Sequence, residues 1–283
     1  MKKIWILARM TFREAIRRRM VLTGLVLGIC FLVIFSIGFH MINEAAYSSA
    51  SRAGETAGRV LQKEGINVLL LAGLYAVAFL SIAMGALLGA DTLAGEINSG
   101  TIQTIVTKPV RRSDVVFGKW LGFAGLLALY VLLMAGGTVI SVWVQSGYTP
   151  LHLSAGLVLI YLESLLMMTV SLSLSSALSG LATGGVVFGL YGLAFIGGWI
   201  EQFGSLLNNQ TAVKVGIVTS LIIPSEALWR RASYEMQTPL AGALGMSPFG
   251  TISVPSNLMI GYAILYLLIA LGMAVNIFQN RDL

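Results

Sequence analysis

The sequence predicts an all-α integral membrane protein of six transmembrane helices, and three observations predict it. Six apolar stretches, residues 21–42, 68–90, 121–144, 157–178, 181–200 and 257–278, are each long enough to cross a bilayer. Only Glu163 puts a charge inside any of them. The chain is 57% hydrophobic and 11% charged, with a mean hydropathy of +0.85, against roughly 25% charged residues in an average soluble domain. A hydrocarbon core of ~30 Å takes about 20 helical residues. Backbone groups in lipid must be satisfied inside a helix or a closed barrel, and the alternating pattern of barrel strands is absent.

Residues 1–20 precede the first span and read as a different kind of helix. Trp5, Ala8, Phe12, Ala15 and Ile16 fall on one face, while Arg9, Arg13 and Arg17 recur every fourth residue on another. That pattern suits an amphipathic helix lying flat in the inner-leaflet interface. A cleaved signal peptide is the competing reading, with Ala45, Ala46, Ser48 and Ala50 as an imitation cleavage region. A 20-residue amphipathic leader and a 22-residue apolar core are both too long for one. Cys30, the single cysteine, lies in the first span and has no partner for an internal disulfide.

Orientation follows from lysine and arginine. The segments before span 1, between spans 2 and 3 and after span 6 hold 12 of the 18 such residues, so these segments and both termini are expected in the cytoplasm. Residues 91–119 form the most structured polar stretch. Asn98, Ser99 and Gly100 interrupt a helical run begun at Asp91, Pro109 breaks another, and Ser113 with Asp114 supplies an N-cap signal for span 3. The expectation is a short cytoplasmic helix held between spans 2 and 3, able to pass a displacement to both.

Glu163 in span 4 costs about 2.5 to 3.5 kcal/mol if central in the bilayer, which makes it a candidate for a substrate path or gate. It falls six residues into the predicted span from the outer side, so a structural polar contact is the alternative. Gly180, Gly184, Gly185, Gly189 and Gly192 in span 5, and Gly85 and Gly89 in span 2, make small-residue faces. These serve close packing within one subunit or between two. The outer segment, residues 201–256, contains an apolar run at 212–223 with Lys214 inside it and Pro224 ending it. A run of a dozen residues reads as a surface or re-entrant helix in preference to a seventh span. Trp229 beside Arg230 and Arg231 is expected to anchor this segment at the interface, with a site for a periplasmic protein as the alternative.

Several chemistries are disfavoured. Gly118-Lys119 lacks the upstream glycine of a phosphate loop and is followed by Trp120, and Leu178-Ser179-Gly180 is an accidental likeness to a nucleotide-binding signature. His40, His152, Met41, Met167 and Met168 show no ligand spacing. No His-Glu metalloprotease pair and no G-x-S-x-G elbow occurs.

The loop pattern also carries a resemblance. Glu96 followed by Gly100-Thr101, then Lys108-Pro109, Arg111-Arg112 and Gly118-Lys119 before an apolar span, resembles the pattern of ABC-2 type permeases, the membrane subunits of ATP-binding-cassette exporters. The amphipathic N-terminal helix, six spans and outer segment between spans 5 and 6 resemble the family over the whole chain. Permeases similar to the nitrous-oxide reductase maturation type are the nearest in pattern. The resemblance implies a single transmembrane domain, residues 1–283, of a non-catalytic permease in a prokaryotic inner membrane. It implies a coupling helix within residues 91–112 that docks on an ATPase, with Glu96, Gly100, Thr101 and Pro109 near the contact and Arg111 and Arg112 at the membrane surface. Both arginines read equally well as headgroup anchors. The implied partners are two ABC ATPase subunits, which carry the ATP and Mg, a second permease copy or a paralogue, and lipid. A periplasmic protein is a further candidate partner, whereas no nucleic acid and no cofactor on this chain is implied. A force transmitter that translocates nothing and acts on a periplasmic maturation partner is the first alternative. An ATP-independent secondary transporter is the second, disfavoured by the scarcity of intramembrane ionisable groups.

Overall fold

The computed structural model describes residues 2–50, 55–90, 92, 111–240, 249, 251 and 253–280, and among them every regular element is an α-helix. These are α1 (Lys2–Ile16), α2 (Arg19–Ala50), α3 (Glu55–Ala90), α4 (Arg112–Ser146), α5 (Leu153–Ser175), α6 (Gly180–Leu206), α7 (Gln210–Ile222), α8 (Ser225–Met236) and α9 (Asn257–Gln279). The helices α2, α3, α4, α5, α6 and α9 are the six long and apolar enough to cross a membrane, as the sequence predicts. They alternate in direction. The start of α4 meets the end of α9 at one end of the bundle, here called basal, and the first half of α3 meets Tyr148, just past the end of α4, at the other, distal end. With 36 residues α3 is about 54 Å long, so it projects well past a core of ~30 Å.

The most enclosed helix is α5, which packs against α3, α4, α8 and α9. Its small polar residues make this possible. Ser164 and Thr169 return their hydroxyls to the carbonyls of Ile160 and Leu165 at 2.8 and 2.7 Å, so no donor is stranded. Ser171 reaches across to the Ala86 carbonyl of α3 at 2.6 Å. On the facing side Gly85 and Gly89 admit the α5 backbone: an added Cβ would stand 2.9 Å from the Ser164 carbonyl oxygen and 2.8 Å from the Leu172 nitrogen, respectively. These two glycines therefore serve packing within the chain. Met167 and Met168 are fully buried there among apolar neighbours. Gly184, Gly185, Gly189 and Gly192 of α6 face open space.

The N-terminal helix departs from its expected arrangement. Its apolar residues divide between two faces: Leu7, Ala8, Thr11 and Phe12 pack along α4 at Gly118, Gly122 and Gly125, while Trp5 is 71% exposed together with Ile6 and Met10. The physical reason is the glycine spacing of α4, which lets α1 approach closely at Gly118 and Gly122. The start of α4 also differs. Arg111 is the N-cap residue, without a side-chain capping bond, and Ser113 and Asp114 lie inside the first turn, where the Asp114 carboxylate faces the positive end of the helix dipole.

Residues 212–222 form most of α7, with Ile223 as its C-cap, and Asn209 caps the start through its Oδ1, accepting from Thr211 N and Ala212 N at 3.1 and 3.2 Å. This helix runs back along α6 from the distal end: Gly204 meets Ala212 and Gly197 meets Thr219. At Ile223-Pro224 the chain bends by 108° into α8. That helix returns distally, since Glu226 lies against Gly198 and Met236 lies against Gly156 and Asn67. The pair has the contacts of a re-entrant element. Trp229 is consequently 3% exposed, packed on Tyr75 with ring centroids 4.9 Å apart. Its expected place as an interface anchor is corrected by the turn at Pro224, which drives α8 into the bundle.

Candidate functional site

Two places carry the residues singled out in the sequence. At the basal end, Glu96, Gly100, Thr101 and Pro109 lie outside the described residues. The two arginines that follow have separate environments. Arg111 is exposed at the α4 N-cap. The Arg112 guanidinium donates through Nη1 to the Gln279 carbonyl at 2.9 Å and to that of Phe278 at 3.5 Å. A cation on the last carbonyls of a helix satisfies acceptors that have no partner within it and opposes the negative end of its dipole. Arg112 thus fastens the start of α4 to the end of α9. Six residues on, Gly118 seats α1, with an added Cβ 2.5 Å from Leu7 Cβ. The last residue of the loop pattern, Lys119, is itself buried, and Trp120 donates its indole N–H to Thr169 Oγ1 of α5 at 2.9 Å. The start of α4 therefore lies at a junction with α1, α5 and α9.

The second place is a buried ionic cluster in the middle of the bundle. Glu163 stands near the centre of the 23-residue α5 and is 1% exposed. The helix begins four residues earlier than the predicted span, so Glu163 is ten residues from its start, deeper than the sequence suggests. Near it lie Glu226 and Arg230 of α8, Glu201 of α6 and Tyr75 of α3. Arg230 pairs with Glu201, Nη1 to Oε1 at 2.6 Å, and donates from Nη2 to Ser220 Oγ of α7 at 3.2 Å. Ser253 Oγ donates to the same Glu201 oxygen at 2.7 Å. Tyr75 donates its hydroxyl to Glu226 Oε1 at 3.4 Å. The cluster joins α3, α5, α6, α7, α8 and the lead-in to α9, and its three carboxylates outnumber its one guanidinium.

The distal closure of the cluster is polar. Asn67 donates through Nδ2 to the Met236 carbonyl at 3.0 Å and to the Tyr148 hydroxyl at 2.9 Å, and Thr238 bonds Glu64. Burial pushes the Tyr148 phenol above its ordinary value, partly offset by that Asn67 bond. His152 lies 3.5 Å from Glu235, while His40 is exposed beside Glu44. Neither belongs to a metal-holding group among the described residues.

Sequence reasoning identified Glu163 and not its companions. Glu201, Glu226 and Arg230 fall between predicted spans and count as loop charges. The available signal was Glu226 four residues before Arg230, with Ala227-Leu228-Trp229 between them, a helical charge-pair spacing around a short apolar run.

Comparison with known proteins places the chain. The family model described as "ABC-2 family transporter protein" matches residues 5–283. Among curated relatives, the "Probable ABC transporter permease protein NosY" of Pseudomonas aeruginosa is 26% identical over 142 residues, which are 50% of this chain and 46% of the relative. The protein of the same name from Stutzerimonas stutzeri shows the same identity and coverage. The matched stretch thus spans less than half the length of each relative, whereas the family match runs over nearly all of this chain: the protein is a six-span helical member of the ABC-2 family of transporter proteins.

Proposed function

We propose that this chain is the permease subunit of an ATP-binding-cassette exporter, driven by ATP hydrolysis on a separate ATPase polypeptide. The observation that carries the reading is the family match over residues 5–283. The basal end, with both termini and the excess of Lys and Arg, faces the cytoplasm in this reading. Residues 91–112 supply the coupling helix, with Glu96, Gly100, Thr101 and Pro109 near the ATPase. Displacement of that helix reaches α4 directly and reaches α9 through Arg112 on the Gln279 carbonyl. Arg111, exposed beside it, is available to lipid headgroups or to the ATPase. Glu163 and the cluster around it sit where a translocated molecule or a gate would meet charge. The working unit has two ATPases and two permeases; the uncovered glycine face of α6 supports pairing with a second permease. The inner membrane of a prokaryote is the setting that the NosY-named relatives support.

Purification in mild detergent with mass spectrometry of bound proteins tests this. Recovery of a Walker-motif ATPase, lost on Glu96→Arg with Thr101→Ala while the chain stays folded, is the expected result. A stable chain that never retains an ATPase and supports ion-coupled flux alone would overturn it. The force-transmitter alternative keeps the ATPase but predicts capture of a periplasmic protein through residues 201–256.

A further inference from the structure

We propose that the groove between α2 and α4 holds one zwitterionic glycerophospholipid of the distal leaflet, recognised through its ester carbonyls. The position of the groove comes first. From Arg19 to His40 helix α2 carries no charge in between and rises about 32 Å, which matches a hydrocarbon core of ~30 Å. Ile29 stands about 15 Å above Arg19, halfway across. The groove, of about 690 Å³, is walled by Ile29, Val33 and Ile37 of α2 and by Ile140 and Val144 of α4, all exposed, and it reaches His40. It therefore runs about 16 Å, from the middle of the bilayer to its distal surface, which is the depth of one leaflet. Its floor is fixed, because Leu32 rests on Gly137, where an added Cβ would stand 2.9 Å from the leucine Cδ1.

Polar groups near its distal end decide the occupant. Gln145 donates through Nε2 to Ser36 Oγ and Ser141 Oγ, both at 3.1 Å, and to the Ser36 carbonyl at 3.4 Å. Elsewhere in the spans a hydroxyl gives its proton to the carbonyl four residues back, as Thr23, Thr138, Ser146, Ser164 and Thr169 do. Ser36 and Ser141 accept from Gln145, and neither donates to an acceptor among the described residues. Both line the groove. Two hydroxyl protons that face hydrocarbon without acceptors are costly.

Ser36 lies one turn, about 6 Å, below His40. At that level, just under the headgroups, a diacyl glycerophospholipid carries two ester carbonyls, which are acceptors with no donors of their own. They meet the two serine protons while an acyl chain follows the groove to the bilayer middle. At the rim His40 and Glu44 stand 3.4 Å apart, both exposed, and set an N–H donor beside a carboxylate. That pair suits a headgroup with a phosphate and an ammonium. A helix of a second copy would also fit an apolar groove, but its backbone carbonyls are already bonded and would leave the serine protons unanswered.

The site needs only a membrane-spanning chain and does not depend on the permease reading. The full chain, stripped of lipid in detergent, is titrated with dioleoylphosphatidylethanolamine, its diether analogue and dioleoylphosphatidylglycerol, and bound lipid is read by native mass spectrometry. The expected result is one ester-linked ethanolamine lipid per chain, held about tenfold more tightly than the diether, as two ordinary hydrogen bonds provide, and more tightly than the glycerol lipid. Ser36→Ala with Ser141→Ala should erase the preference for the ester. Val33→Trp, at an exposed position, should block the groove to all three. No retained lipid, equal affinity for the diether or the glycerol lipid, or an ester preference that survives the double variant overturns the site. A dimer that forms without lipid and is broken by Val33→Trp overturns it too, in favour of a second copy. Should the double variant fail to fold, the comparison of ester and diether on the unaltered chain decides. Equal binding of the two leaves the permease reading standing, whereas failure to recover an ATPase leaves this site standing.

Discussion

Arg230 shows how one residue can hold an irregular part of a membrane bundle together. Its guanidinium reaches Glu201 at 2.6 Å and Ser220 at 3.2 Å, and Ser253 donates to the same Glu201 oxygen, so α6, α7, α8 and the approach to α9 converge on one charge pair. Removing one member of a buried pair strands the other, at a cost of about 3–5 kcal/mol, whereas replacing both by apolar groups is often neutral. Arg230→Met is therefore expected to lower the melting temperature in detergent strongly. Arg230→Met with Glu201→Met should recover most of the loss, giving a coupling of at least about 1 kcal/mol in the double-mutant cycle. An unchanged melting temperature in the single variant would mean that the pair is solvated and holds nothing. Glu163 was legible because a lone acid in an apolar span stands out. The charges near it were not, because hydropathy averages over sequence neighbours, and Glu201 and Arg230 meet across 28 intervening positions and a turn at Pro224.

At the scale of elements, the seam between α1 and α4 explains a motif that the sequence displays without its reason. Gly118 reads as part of a family pattern, but its physical role is to admit Leu7, and Gly122 admits the Ala8 carbonyl, where an added Cβ would stand 2.7 Å away. The partner helix begins more than 100 residues earlier, so no local window could connect them. Forcing a larger side chain into such a seam costs about 1–3 kcal/mol. Gly122→Val is predicted to detach α1 while leaving the six spans packed, so trypsin should cut at Arg9, Arg13 and Arg17 faster than in the unaltered chain. Gly189→Ala, at a position facing open space, should leave the digestion rate unchanged. Equal rates for Gly122→Val and the unaltered chain would show that α1 is not held by this seam. The same reasoning covers the start of α4: Ser113 and Asp114 signalled a helix beginning, and the cap fell two residues earlier because Arg112 in the first turn is drawn to the end of α9.

For the whole molecule, the number of crossings decides where every loop lies, and the α7–α8 pair is the segment on which that number turns. The six spans were legible because each is a long apolar run, and α7 was not assigned a crossing because a 13-residue helix is only about 20 Å long. Sequence alone could not show where α8 goes. The contacts do: α7 descends along α6 from Asn209, the chain bends 108° at Pro224, and α8 climbs to Met236, whose carbonyl is held by Asn67 in the first half of α3. Leu207, before α7, and Leu240, after α8, are both exposed and belong to the same distal end. With Cys30 replaced by Ala, Leu207→Cys and Leu240→Cys are predicted to react with a membrane-impermeant maleimide added to intact cells, while Arg17→Cys reacts only in inverted vesicles. Opposite sidedness for Leu207→Cys and Leu240→Cys would make the bent pair a seventh span and move the C-terminus across the membrane. Labelling of both from the inside alone would keep the re-entrant pair and reverse the orientation, because the pair returns the chain to the side it left, whichever side that is.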